Sequence, residues 1–238
     1  MCFIAKGGGP LASAFVAAAV DAIGVVQAPT HATGFHTVEA LQIIVVANDV
    51  WRHDDDQITV HPWLFVPSND LKGRADRDGL PYEEWRDAGL IFVTPGPIID
   101  AGLIEDQIRE LCATNDVQEI AVDPHLARRL MQSLHDDGLP VIEYRQTPLN
   151  MGVAAGDLER TVNGDLIRHA DHAALRQHFD SVVASRNPTS GLIRMHKGKK
   201  TDRIDGAIAA AMAVSRACAA ETNLSKYNAP EAEGLFIF

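Results

Sequence analysis

Two carboxylates and one basic loop are the residues whose types and spacing could do chemistry. Asp123 closes the stretch 118–124 (QEIAVDP), where Val117, Ile120 and Val122 give a strand too short to be a helix. Pro124 cannot continue a central strand but suits a first helical turn, and 125–137 reads as the helix that follows. An acid at the exit of a buried strand, beside a helix start, can point into a crevice and hold a metal ion; it can also simply cap the helix.

The second acid, Asp205, lies in a long alanine-rich segment, 203–220, which reads as a helix. Asp202 suits its N-cap, and Asp205, three residues on, falls in the first turn, where the helix dipole favours an acid. Immediately upstream, 194–205 (RMHKGKKTDRID) carries Arg194, Lys197, Lys199, Lys200 and Arg203. In a chain of net charge −11 that concentration is local, and it reads as a loop gripping phosphates through a salt-sensitive electrostatic hold. Two acids from separate elements meeting beside such a loop suit divalent-metal phosphodiester chemistry. His196 could assist proton transfer, although a lone loop histidine is more often solvated. The triplet Asp54, Asp55 and Asp56 resembles a metal cluster on paper, but consecutive side chains on a tight turn diverge, and a polar hairpin tip is the simpler reading.

The elements that must position these residues are those of an ordinary globular chain. Its 238 residues suffice for a real core, and the simplest count is one domain of 46% hydrophobic and 22% charged residues. Three scattered cysteines without a CxxC pair argue for reduced thiols and against a disulfide framework or a zinc site. The apolar run 11–26 faintly resembles a signal segment, but Asp21 interrupts it and it is too short to span a membrane, so the expectation is cytoplasmic. Residues 1–36 have no clear period and read as an atypical, partly disordered segment, with a strand possible near 14–22. Strands follow at 38–47 and 58–66 around a polar turn at 48–57, and short helical pieces fill 67–89. A small strand at 90–93, a helix at 99–113, the 118–122 strand, the 125–137 helix and a strand at 141–144 come next. Helices at 150–162 and 173–184, a strand at 191–196 and the closing helix complete the chain. A hairpin followed by alternating strands and helices predicts a mixed sheet with helices on both faces, an α/β three-layer domain.

The segments ITVHPWLFVP, YEEWRDAGLIFVTPGPIID, EIAVDPHLARRLMQSL, VIEYRQTPLNMG, HAALRQHFDSVV and KKTDRIDGAIAAAMAVSRA, from about 58 to 217, carry a resemblance. Together they resemble the C-terminal nuclease domain of tailed-phage terminase large subunits, the DNA-packaging motor proteins. The resemblance implies a ribonuclease H-like domain over 37–222, its sheet led by antiparallel strands, with 223–238 as a tail. It implies endonucleolytic cutting of double-stranded DNA with two Mg²⁺ or Mn²⁺ ions held by three acids, in the host bacterial cytoplasm. Two of those acids map to Asp123 and Asp205, with Asp202 as an auxiliary acid. Gln146 and Asn150, after the strand that follows Asp123, would face DNA beside Lys197, Lys199, Lys200, Arg203 and Arg194. The implied partners are a small terminase subunit, a portal protein and a separate ATPase motor.

The family's first acid sits about ten residues before an apolar strand like 41–47, and the window 30–38 (THATGFHTV) contains no Asp. Asp21 is the candidate for that role, Glu39 and Asp49 are weaker ones, and His36 replaces a bridging carboxylate poorly. The motor's phosphate loop, GxxxxGK(S/T), has no counterpart in this chain. A domain without its first acid could instead serve as a non-catalytic docking module in packaging, so convergence of three carboxylates is the discriminating feature. A nucleotide-binding α/β protein is the weakest alternative, because no glycine fingerprint lies between a strand and a helix.

Overall fold

The computed structural model describes residues 13–20, 45–52 and 57–223. The chain opens with β1 (Ser13–Val20), β2 (Val45–Arg52) and β3 (Ile58–Pro67), followed by the short helices α1 (Leu71–Asp78) and α2 (Tyr82–Asp87). Then come β4 (Phe92–Thr94), α3 (Ala101–Thr114), β5 (Val117–Val122), α4 (Pro124–Asp136), β6 (Val141–Glu143) and α5 (Pro148–Asn163). The last part holds β7 (Ile167–His169), α6 (Ala173–Asp180), β8 (Val182–Arg186), β9 (Ile193–Lys197) and α7 (Asp205–Asn223).

The main sheet has the order β4-β3-β2-β1-β5-β6, with β7 also paired to β3. β2 runs antiparallel to both β1 and β3, whereas β1–β5, β5–β6, β3–β4 and β3–β7 are parallel pairs. Every strand of this sheet except β2 therefore points the same way; β1, β3, β4, β5 and β6 end toward one edge, whereas β7 pairs only with the start of β3. Pro62 falls in the interval of β3 between its pairing with β7 (58–60) and with β4 (65–67), where a missing N–H costs least.

Alternation along β3 and β5 sorts two cores, one on each face of the sheet. Ile58, Val60, Leu64, Val66 and Ala121 pack with α1, α2, α5, α6 and α7. Phe65, Ile120 and Val122 pack with α3 and α4 on the other side. α7 is buried nearly all round, with Ala207, Ala209, Ala210, Ala211, Ala213 and Ala217 at 0–1% exposure. Alanine suits that place because it favours helix and lets the sheet, α5 and α6 approach closely.

Three expectations change. The strand placed at 38–47 is β2 at 45–52, so Asn48 and Asp49 lie in the strand and the hairpin connection shrinks to 53–57. Register explains this, since pairing runs from Val45↔Phe65 through to Arg52↔Ile58. The strand expected near 14–22 is present as β1, which sits between β2 and β5 in the sheet. The helix expected at 173–184 stops at Asp180, and β-branched Val182 and Val183 begin β8, which forms a separate hairpin with β9. The three-residue β7 falls in a stretch where no strand is expected, and pairing with β3 creates it. Residues 38–44 and the tip bearing Asp54, Asp55 and Asp56 lie outside the described residues.

Candidate metal and nucleic-acid site

Asp123 follows directly on β5 in extended conformation (φ −72°, ψ 118°) and is partly exposed. Its Oδ1 accepts from the His125 N–H at 3.0 Å, so it caps α4, with Pro124 in the first turn. The cap uses one carboxylate oxygen. Glu119 and Ala121 share Asp123's parity along β5. Ala121 packs in the core on the α7 side, and Glu119 holds Arg216 of α7 in a two-pronged ion pair, with Nη2 to Oε2 at 2.8 Å. The row that ends in Asp123 is thus the row turned toward α7.

Asp205 is the first residue of α7 and is 6% exposed. Its neighbourhood is set by two anchors. On one side, the Arg203 guanidinium donates to both oxygens of Asp78 at 3.0–3.1 Å, the two side chains being 13% and 3% exposed. Tyr82 donates its hydroxyl to the same carboxylate at 2.8 Å. Burial alone would lower the Arg203 pKa, but the Asp78 carboxylate, with Asp205 adding less, outweighs it and raises it. On the other side, the Gly206 N–H donates to His178 Nδ1 of α6 at 2.8 Å. Burial foremost, then nearby cations, pushes the His178 pKa down to about 3.

Several expected residues take other places. Arg203, expected to grip phosphate, is engaged with Asp78, because the fold brings α1 against the start of α7. Asp202 does not cap α7, which begins three residues later; it accepts from the Lys199 N–H at 2.7 Å and closes the basic loop on itself. Lys199, Lys200 and Arg194 are exposed, and Lys197 is half-buried at the end of β9. His196 pairs with Val183 in the hairpin, and its buried Nδ1 has no hydrogen-bond partner among the described residues, so it is not a fully solvated loop histidine.

Gln146 is exposed in the loop after β6. Asn150 is half-buried, donates to the Arg145 carbonyl at 2.8 Å and accepts from Tyr144 through its own carbonyl at 3.2 Å, which ties down the start of α5. Asp49 sits within β2 opposite His61. Asp21, Glu39 and His36 lie outside the described residues, although Val20, the last residue of β1, directly precedes Asp21. Among the described residues, no group of three His, Cys, Asp or Glu side chains is placed to hold a metal ion. Sequence reasoning missed His178 and Asp78; the buried contacts that single them out come from elements 28 and 125 residues away in the chain.

A mixed α/β domain, helices on both faces, with acids at a strand exit and at the start of its last helix, is the class this fold and site define. The family model of the terminase large subunit endonuclease domain matches residues 40–221, and the chain belongs to that family. It is 29% identical over 179 residues to the terminase large subunit of Enterobacteria phage HK97, covering 74% of this chain and 35% of that protein. It is 26% identical over 164 residues to protein YmfN of Escherichia coli (strain K12), covering 67% of this chain and 36% of that one. The crystal structure of the HK97 bacteriophage large terminase shares the fold, with a TM-score of 0.71 and 24% identity over 87% of this chain and 40% of that one. The chain spans about a third of the length of the two sequence relatives. Among the described residues, no helix is long and apolar enough to cross a membrane.

Proposed function

We propose that this chain cuts double-stranded DNA as the metal-dependent endonuclease of a DNA-packaging terminase, with a ribonuclease H-like arrangement of its acids. One observation carries the reading: Asp123 ends the α7-facing row of β5, and Asp205 opens α7. Measured from the Arg216–Glu119 pair, Asp205 lies eleven residues toward the start of α7, about 16 Å along a helix. Asp123 lies four residues toward the end of β5, about 13 Å along a strand. The Arg203–Asp78 anchor supports the same direction, because α1 leaves the sheet from the C-terminal end of β3, at the edge where β5 also ends.

The donor chemistry suits a hard cation, since both acids offer carboxylate oxygens. Asp123 and Asp205 would hold Mg²⁺ or Mn²⁺, with Asp21, next after β1, as the third acid and Asp202 as an auxiliary one. When bound, the ions would supply charge to the scissile phosphate and a water of lowered pKa. Lys197, Lys199, Lys200 and Arg194 would anchor backbone phosphates, with Gln146 and Asn150 beside them, so cutting is largely sequence-independent. The small terminase subunit, portal protein and an ATPase motor are the expected partners, in the bacterial cytoplasm.

A docking module without catalysis is the second reading, favoured by the lack of a three-acid group among the described residues. Plasmid nicking in Mn²⁺ separates the two. Wild-type cleavage lost in Asp123→Asn and in Asp21→Asn supports the endonuclease. Equal cleavage by wild type and Asp123→Asn removes the site, and a folded wild type that does not cut supports docking.

A further inference from the structure

We propose that His178 is a positioning residue for Asp205: its ring, held inside the domain, fixes the first turn of α7 and so the place of the acid that opens it. This inference rests on the endonuclease reading above. His178 is 0% exposed, and its Nδ1 accepts from the Gly206 N–H at 2.8 Å. That N–H is one of the first-turn donors with no acceptor inside its own helix, so a side chain from α6 satisfies it. Because Nδ1 accepts, the proton sits on Nε2, which is buried with no hydrogen-bond partner among the described residues.

A buried unsatisfied donor carries a desolvation penalty, which an apolar side chain would avoid. The penalty is tolerated at a position that reaches the start of α7, which argues that the Nδ1 contact is what the residue is for. Packing says the same. A Cβ on Gly206 would lie 2.7 Å from His178 Nδ1 and 3.1 Å from Leu175 Cδ1, so α6 and α7 touch as closely as glycine permits, one residue beyond Asp205. Arg203, two residues before it, is fixed to Asp78 of α1. Asp205 is therefore clamped from both sides by groups that are themselves largely buried, the arrangement that preorganises a ligand.

The test uses the full chain and measures Mn²⁺ binding by calorimetry, melting temperature, and the Mn²⁺ concentration for half-maximal nicking. In His178→Phe, which keeps an aromatic ring but loses the acceptor, Mn²⁺ affinity falls about tenfold to a hundredfold, the range for lost supporting shells. In His178→Asn, whose Oδ1 falls where Nδ1 was, affinity recovers most of that loss even though the melting temperature stays low. If His178→Phe does not fold, Gly206→Ala reports the same displacement and shows the same loss. Wild-type Mn²⁺ affinity in the folded Phe variant, or equal loss in the Phe and Asn variants, overturns the proposal while leaving the endonuclease reading intact. A wild type that neither binds Mn²⁺ nor cuts DNA removes both.

Discussion

Replacing Asp78 with alanine tests the architecture around Asp205 at its most exposed assumption, that Arg203 is structural. The Arg203 guanidinium makes three hydrogen bonds of 3.0–3.1 Å to Asp78, and the two side chains are 13% and 3% exposed. Deleting one member of a buried pair leaves the other charge out of water without its counter-ion, at a cost of about 3–5 kcal/mol. Tyr82 loses its acceptor at the same time. For a domain of this size each kcal/mol moves the melting temperature by about 2–4 °C, so Asp78→Ala should melt about 6–20 °C lower. The double variant Asp78→Leu with Arg203→Met removes both charges and should recover much of that loss. Calorimetric melting and urea unfolding of the wild type, Asp78→Leu, Arg203→Met and the double variant give the coupling directly. Asp78→Ala within about 1 kcal/mol of wild type, or strictly additive single effects, would refute the buried pair and return Arg203 to the phosphate-binding loop.

Two further outcomes follow from the same geometry. Removing Lys199 and Lys200 together should weaken DNA binding without altering the melting temperature, and should flatten the log–log salt dependence by about 0.9 for each phosphate no longer neutralised; an unchanged slope would place DNA elsewhere. His178 has a folded pKa of about 3 against an ordinary value of 6.5, so neither the folded nor the unfolded chain binds its proton above pH 6.5, where its contribution is complete. Between pH 6.5 and about 3 the unfolded chain takes up the proton first, and stability falls by up to about 1.4 kcal/mol per pH unit. His172, lowered to about 4 chiefly by burial, adds in the same direction but less, because its ring is partly exposed. Urea unfolding at pH 7 and pH 5 should show the drop in the wild type and a smaller one in His178→Phe.

Much of the frame was legible because its signals are local. Asp123 is marked by a short apolar run before it and a proline after it, and Asp205 by a helix start rich in alanine. β1 was faint for a physical reason: SAFVAAAV neither alternates nor favours strands, and it is held by pairing on both sides, to β2 and β5. The end of α6 was overrun because its helical spacing continues into Val182 and Val183, whose place is decided by pairing with β9. Arg203 looked like its basic neighbours, since nothing in RMHKGKKTDRID reveals a carboxylate 125 residues upstream. His178 is one of ten histidines, and only its burial against Gly206 sets it apart.

The central claim is that Asp123 and Asp205 serve one cation site, and a Mn²⁺-soaked crystal measured at the manganese absorption edge tests it most directly. The account predicts an anomalous peak within about 2–2.5 Å of an oxygen from each carboxylate. Manganese bound to only one of them, or found only elsewhere on the molecule, would contradict it.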